Sequence, residues 1–164
     1  MTISLKNKDT LQVDDFYFRC CIGKNGTTSK KIEGDKKTPK GIFKIQNLYF
    51  RKDRLKKPET KLKCITIKKN MGWCDDTKFP KKYNQLIKIS KKIKHEALTR
   101  KDHKYDLLIP IKYNFDKPIS NLGSCIFIHI TEDYKFTEGC IALKMSDFLI
   151  MLKIIKKNTK IKIY

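Results

Sequence analysis

The chain has 164 residues, of which 40% are hydrophobic, and a formal net charge of +21. This length supports one domain with its own core, and no apolar run approaches the roughly 20 residues of a membrane-spanning helix. The opening stretch MTISLKNKDTLQVDDFYFR has no uninterrupted apolar region followed by small residues, so no secretory signal is read there.

In chain order, ISLKN and LQVDD are short alternating strands around polar Lys8 and Asp9, a hairpin opening. FYFRCCIG continues as an aromatic and apolar strand closed by Gly23. NGTTSKKIEGDKKTPKG is long and polar, with turn residues at Asn25–Gly26, Gly34–Asp35 and Thr38–Pro39. IFKIQNLYF, KCITIK, LIKIS, YDLLIPIKYN and CIFIHIT supply further strands. CIFIHIT is apolar on both faces, as a central strand is. The spacing of Phe148, Leu149, Leu152 and Ile155 predicts a helix over 146–157, with Ser146 as its cap and Lys156 and Lys157 at its C-terminal dipole. A second short helix is expected near Lys91 to Leu98, and KIKIY closes the chain as a strand. With no repeat or linker, the expectation is a mainly β, compact single domain over 1–164, a β-sandwich or mixed-sheet architecture.

The positive charge suggests a polyanionic partner at first sight. All but four of the 38 basic residues are lysines, the exceptions being Arg19, Arg51, Arg54 and Arg100. They are spread along the whole chain, and nucleic-acid surfaces favour the bidentate arginine fork. A solvated lysine coat is the plainer reading, and no specific nucleic acid is expected. Six cysteines contain no C-x-x-C pair, and with three histidines they show no metal-ligand spacing. Neither metal nor cofactor is expected, and without an export signal the thiols read as free.

Chemistry concentrates in IFIHITEDYKFTEGCIAL, residues 126–143. His129 ends an apolar strand and Cys140 follows a glycine after a polar loop. An imidazole within reach of a thiol can take its proton and make it a nucleophile. Gly139 permits close backbone approach, and the Gly139 and Cys140 amides can face a developing oxyanion. By residue type alone a buried core histidine and an inert buried cysteine are the favoured reading.

FIHITEDYKFTEGCIAL and EGDKKTPKGIF (33–43) together resemble the YkuD-type L,D-transpeptidase catalytic domain. That family pairs a GD-x-x-TP-x-G-x-F segment with a later IHxx…[ST]-x-GC motif. GWCDD (72–76) and YDLLIPIKYN (105–114) are similar to a short, single-domain branch with a TEGCIAL-like motif. The resemblance implies acyl transfer on peptidoglycan stem peptides, in cell-wall synthesis. Cysteine attacks the carbonyl joining diaminopimelate to D-alanine, and an amine, or water in carboxypeptidases, resolves the thioester. It assigns Cys140 as nucleophile, His129 as base and the Ile130 carbonyl as the group orienting the ring, with Gly139 and Cys140 as the oxyanion hole.

This sequence departs from the commoner pattern. Glu138 stands where histidine often precedes the Gly-Cys, and Ala142 where arginine or asparagine often follows it, so the usual carboxylate anchor is missing. Arg54 is the expected replacement. Trp73 and Asp75 are expected to line the cleft and receive a substrate ammonium, with Tyr113, Asn114 and Glu138 as further substrate contacts. His95 and His103 read as solvated, and Thr38–Pro39 as a structural turn. The family points to the periplasm or cell envelope, with the cytoplasm as the alternative. The competing functions are an L,D-carboxypeptidase and a non-enzymatic basic binding module; oligomeric state is left open.

Overall fold

A computed structural model describes residues 1–164. The opening hairpin forms as expected. β1 (Thr2–Leu5) pairs antiparallel with β2 (Thr10–Val13), and β2 with β3 (Phe16–Arg19). The polar segment that follows carries two short parallel strands, β4 (Thr27–Thr28) and β5 (Thr38–Pro39). Then come β6 (Gly41–Lys44), β7 (Leu48–Phe50), β8 (Cys64–Thr66), β9 (Met71–Cys74), β10 (Leu86–Lys88), β11 (His95–Ala97), β12 (Leu107–Pro110), β13 (Phe127–Ile130) and β14 (Ile141–Leu143). Helix α1 (Met145–Ile154) and β15 (Lys160–Ile163) close the chain.

One sheet runs β3-β2-β1-β15-β6, a second β14-β13-β12-β7-β8, and a small third β10-β9-β11. In the first sheet, Ile3 and Leu5, Leu11 and Val13, and Ile161 and Ile163 alternate with more exposed neighbours. This period-two pattern covers one face only. β12, β13 and β14 are buried at every position, because a second layer covers their other face. Ile128 and Ile130 join the large core under α1, while Phe127 faces a smaller cluster with Trp73, Tyr105 and Leu108. Burying a side chain such as Leu108 contributes about 1.5–3 kcal/mol.

The single C-terminal helix is present but shorter than its sequence period suggests. It starts after Lys144 without any side-chain cap, so Ser146 does not cap it. It stops at Ile154 because Ile155 turns extended (φ −72°, ψ 154°) to bury in the core, leading into β15. The second helix is absent. Its segment forms a turn and then β11, whose pairing with β9 outweighs local helix preference.

Candidate active site

His129 sits on β13 opposite Leu108 of β12 and beside Ala142 of β14. Alternation along β13 places it on the face of Phe127, away from the large core. Its Nδ1 lies 2.8 Å from the Ile130 carbonyl. A carbonyl only accepts, so this contact assigns the proton to Nδ1 and leaves Nε2 as a base. Tyr105 packs edge-on against the ring at 5.4 Å between centroids. The ring is 6% exposed, more buried than a strand-end position suggests, because Tyr105 covers it. Burial lowers its pKa to about 4, against the opposing Ile130 hydrogen bond. The imidazole is therefore neutral at pH 7.

Cys140 lines the same cleft of about 430 Å³ as His129. Its Sγ donates to the Cys125 carbonyl at 3.1 Å and accepts the Phe127 amide at 3.4 Å. No hydrogen bond joins it to His129. Burial pushes the Cys140 thiol up to about 12, only partly offset by the Phe127 amide. The site thus holds a neutral thiol beside a neutral imidazole, rather than a preformed thiolate pair.

The turn before Cys140 is built from afar. Gly139 has φ +141°, and a Cβ there would lie 2.9 Å from the Lys37 carbonyl oxygen. Thr38 Oγ1 donates to the Gly139 carbonyl at 2.9 Å and accepts the Gly23 amide at 3.0 Å. Thr137 Oγ1 donates to the Cys140 carbonyl at 2.6 Å and accepts the Gly139 amide at 3.1 Å. The Gly139 N–H is therefore spent on Thr137, contrary to its expected place in the oxyanion hole. The Cys140 N–H makes no hydrogen bond.

The YkuD L,D-transpeptidase catalytic-domain profile matches residues 3–163. This chain belongs to that family. Its fold is also similar to the structure of Bdellovibrio bacteriovorus Bd1075, with a TM-score of 0.51 and 17% sequence identity. That likeness covers 99% of this chain and 47% of the Bd1075 chain, so the YkuD domain here spans about half of that protein's length. None of the curated proteins matches the chain.

The YkuD cleft gathers Cys140, His129, Asp75 and Glu138, with the Gly139 turn beside them, but not the other expected contacts. Asp75 Oδ2 pairs with Lys94 at 2.9 Å, while its buried Oδ1 has no partner. Glu138 stands at the rim, its side chain 77% exposed, 3.5 Å from Lys36. Trp73 is buried in the small cluster, and its Nε1 donates to Asn84 Oδ1 at 2.9 Å, so it packs rather than lines the cleft. Tyr113 donates its hydroxyl to the Leu122 carbonyl and packs edge-on against Phe43. Asn114 closes a loop, at φ 46°, through Ile119 and Gly123.

Arg54 is also elsewhere. It pairs with buried Asp106 at 2.8 Å and donates to the carbonyls of Arg100, Lys101 and Asp102. Four fixed acceptors leave it a structural clamp, not a free substrate anchor. His103 binds the same Asp106, and His95 Nδ1 lies 2.7 Å from the Ile93 carbonyl, so neither is merely solvated. Tyr105, Cys125, Thr38 and Thr137 shape the site without having been singled out for it. The TP-x-G segment carried a signal for Thr38; nothing local marked the others.

Proposed function

We propose that this YkuD domain is a cysteine acyltransferase that cleaves the diaminopimelate–D-alanine bond of peptidoglycan stem peptides. The observation that carries this reading is the His129 ring, fixed by Ile130 with its Nε2 unprotonated, in one cleft with Cys140. In the first step the Cys140 side chain turns from the Cys125 carbonyl, and Nε2 takes the thiol proton as sulfur attacks the carbonyl carbon. The oxyanion is met by the Cys140 amide. On collapse the C–N bond breaks, the proton passes from His129 to the departing D-alanine amine, and a thioester remains. An amine then attacks the thioester, His129 takes its proton, and the thiol is restored with a new amide. No cofactor enters these steps.

Water as the acceptor is the second reading, an L,D-carboxypeptidase. Exposed Glu138 at the rim and small Ala142 beside His129 favour it, since both alter the acceptor side. Purified protein incubated with disaccharide tetrapeptides, with products identified by mass spectrometry, tests both. Cross-linked dimers or exchanged D-amino acids mean transfer, and tripeptide alone means hydrolysis. Wild-type inactivity with steep salt-dependent polyanion binding would point to a basic binding module instead. If Cys140→Ala keeps full activity, the nucleophile assignment is wrong.

The place proposed for this chemistry is the periplasm or envelope, where mature stem peptides are. Fractionation of cells expressing the tagged chain checks it: recovery only with cytosolic markers would favour recycling of imported muropeptides.

A further inference from the structure

Five lysines from separate parts of the chain converge on one groove that the proposed mechanism does not use. Lys44 ends β6, Lys61 and Lys63 lie before and at the start of β8, Lys112 follows β12 and Lys157 follows α1. They line a groove of about 790 Å³ that shares no residue with the Cys140 cleft. Backbone hydrogen bonds hold these segments together. The Lys112 amide donates to the Lys44 carbonyl at 2.8 Å, and the Leu48 amide to the Lys63 carbonyl at 3.0 Å. The Ile45 amide donates to the Thr159 carbonyl at 3.1 Å, close to Lys157. The fold itself therefore gathers the lysines.

No carboxylate lines the groove. Lys44, Lys61, Lys63 and Lys157 make no ion pair, and Lys112 has only Asp116 at 3.1 Å, whose side chain is 78% exposed. Other lysine-rich clefts carry their own acid: Asp53 stands with Lys52, Lys56 and Lys57, and again with Lys68 and Lys69. Lys44 also lies directly opposite Lys160 in the β6–β15 register, a like-charge pairing that disfavours the sheet. Gathering these charges works against folding, and an anionic ligand would reverse that cost.

The residue types narrow the ligand. A planar carboxylate is best met by the arginine fork, and no arginine lines the groove. Lysine is a point charge that suits the tetrahedral oxygens of phosphate from any direction. Gln46, Asn47 and Asn158 add neutral amide donors to the same wall. Five ammonium groups in one groove outnumber the charge of a single phosphate, and phosphates bridged by one oxygen pack several charges into such a space.

We propose that this groove is a second ligand site, which binds a chain of condensed phosphates. It stands on the groove alone and is independent of the acyltransferase reading.

Isothermal titration calorimetry of the purified chain with tripolyphosphate tests it. One site is expected, with inorganic phosphate about tenfold weaker or more because it meets fewer lysines. Joint replacement Lys44→Gln, Lys63→Gln and Lys157→Gln should weaken tripolyphosphate about tenfold or more. It should also lower the slope of log affinity against log salt by roughly one per lysine. This variant should melt no lower than wild type, since Lys160 loses the charge opposite it. Lys78, Lys81 and Lys91 are exposed and lie outside the groove, so their joint replacement by glutamine removes the same charge elsewhere. That control should bind as wild type does. Equal loss in both variants would reduce the binding to net charge and overturn the proposal. So would absence of binding by wild type, phosphate binding as tightly as tripolyphosphate, or a destabilised groove variant. ADP separates the sources: ADP binding tighter than tripolyphosphate and lost in the groove variant assigns an esterified diphosphate, and weaker binding a free chain. A short oligothymidylate binding more tightly than either would make the groove a nucleic-acid surface and overturn the assignment.

Discussion

The Thr38 hydroxyl donates to the Gly139 carbonyl at 2.9 Å across 101 residues of sequence, joining the polar N-terminal loop to the turn that presents Cys140. Both partners are buried, so this bond has no water to replace it. It makes the GDKKTPKG segment a scaffold for the Gly139–Cys140 turn rather than a surface loop.

Thr38→Val keeps the shape and removes the donor. The Gly139 carbonyl and Gly23 amide are then left unsatisfied, at a cost of about 1–3 kcal/mol. Acylation should fall more than stability implies, and Thr38→Ser should restore most of it. Thermal melts read beside acylation rates separate the two effects; equal behaviour of Val and Ser would contradict this role.

Gly139→Ala meets a second constraint in the same turn. A φ of +141° is almost closed to alanine, and its Cβ would lie 2.9 Å from the Lys37 carbonyl oxygen. A strain of roughly 1–3 kcal/mol is expected, together with loss of acylation as the Cys140 amide shifts. A crystal structure of the variant with an unmoved turn would refute the argument.

His129 supplies a pH signature. Its folded pKa of about 4 lies below the ordinary value of 6.5, so the unfolded chain binds the extra proton first. Stability from this group is complete above pH 6.5 and is lost as pH falls toward 4, by roughly 3 kcal/mol in total. Acylation should survive to mildly acidic pH and fail near 4, where Nε2 becomes protonated. Urea melts against pH should show the slope in wild type and a smaller one in His129→Gln.

Cys140 should be a slow thiol in the absence of substrate. It is 7% exposed and its pKa is pushed up to about 12, whereas Cys64 is partly exposed. Iodoacetamide at pH 7 should modify Cys64 before Cys140. Peptide mapping of early adducts decides this. Fast, selective alkylation of Cys140 would mean that the thiolate–imidazolium pair forms without substrate.

Local pattern alone determined much of this protein. Alternation in ISLKN, LQVDD and KIKIY marks one-sided strands, and the double-faced apolar run of FIHI marks a buried one, because strand side chains repeat every two residues. Order and spacing of GDKKTPKG, His129 and Gly139–Cys140 carried the family, since residue types and their order are legible without knowing what each one touches. Contacts between distant segments were decided only by the tertiary structure. Trp73 and Arg54 have the right chemistry for a cleft, yet Asn84 and Asp106 claim them from other parts of the chain. The Gly139 amide looks free in sequence and is taken by Thr137, whose side chain folds back over the turn. Lys31 is one lysine in a lysine-rich chain until Asp35 pairs with it and it packs against Gly123, buried at the cleft. Burial likewise sets the charge states of Cys140 and His129, because desolvation depends on what packs around a group and not on its neighbours in sequence.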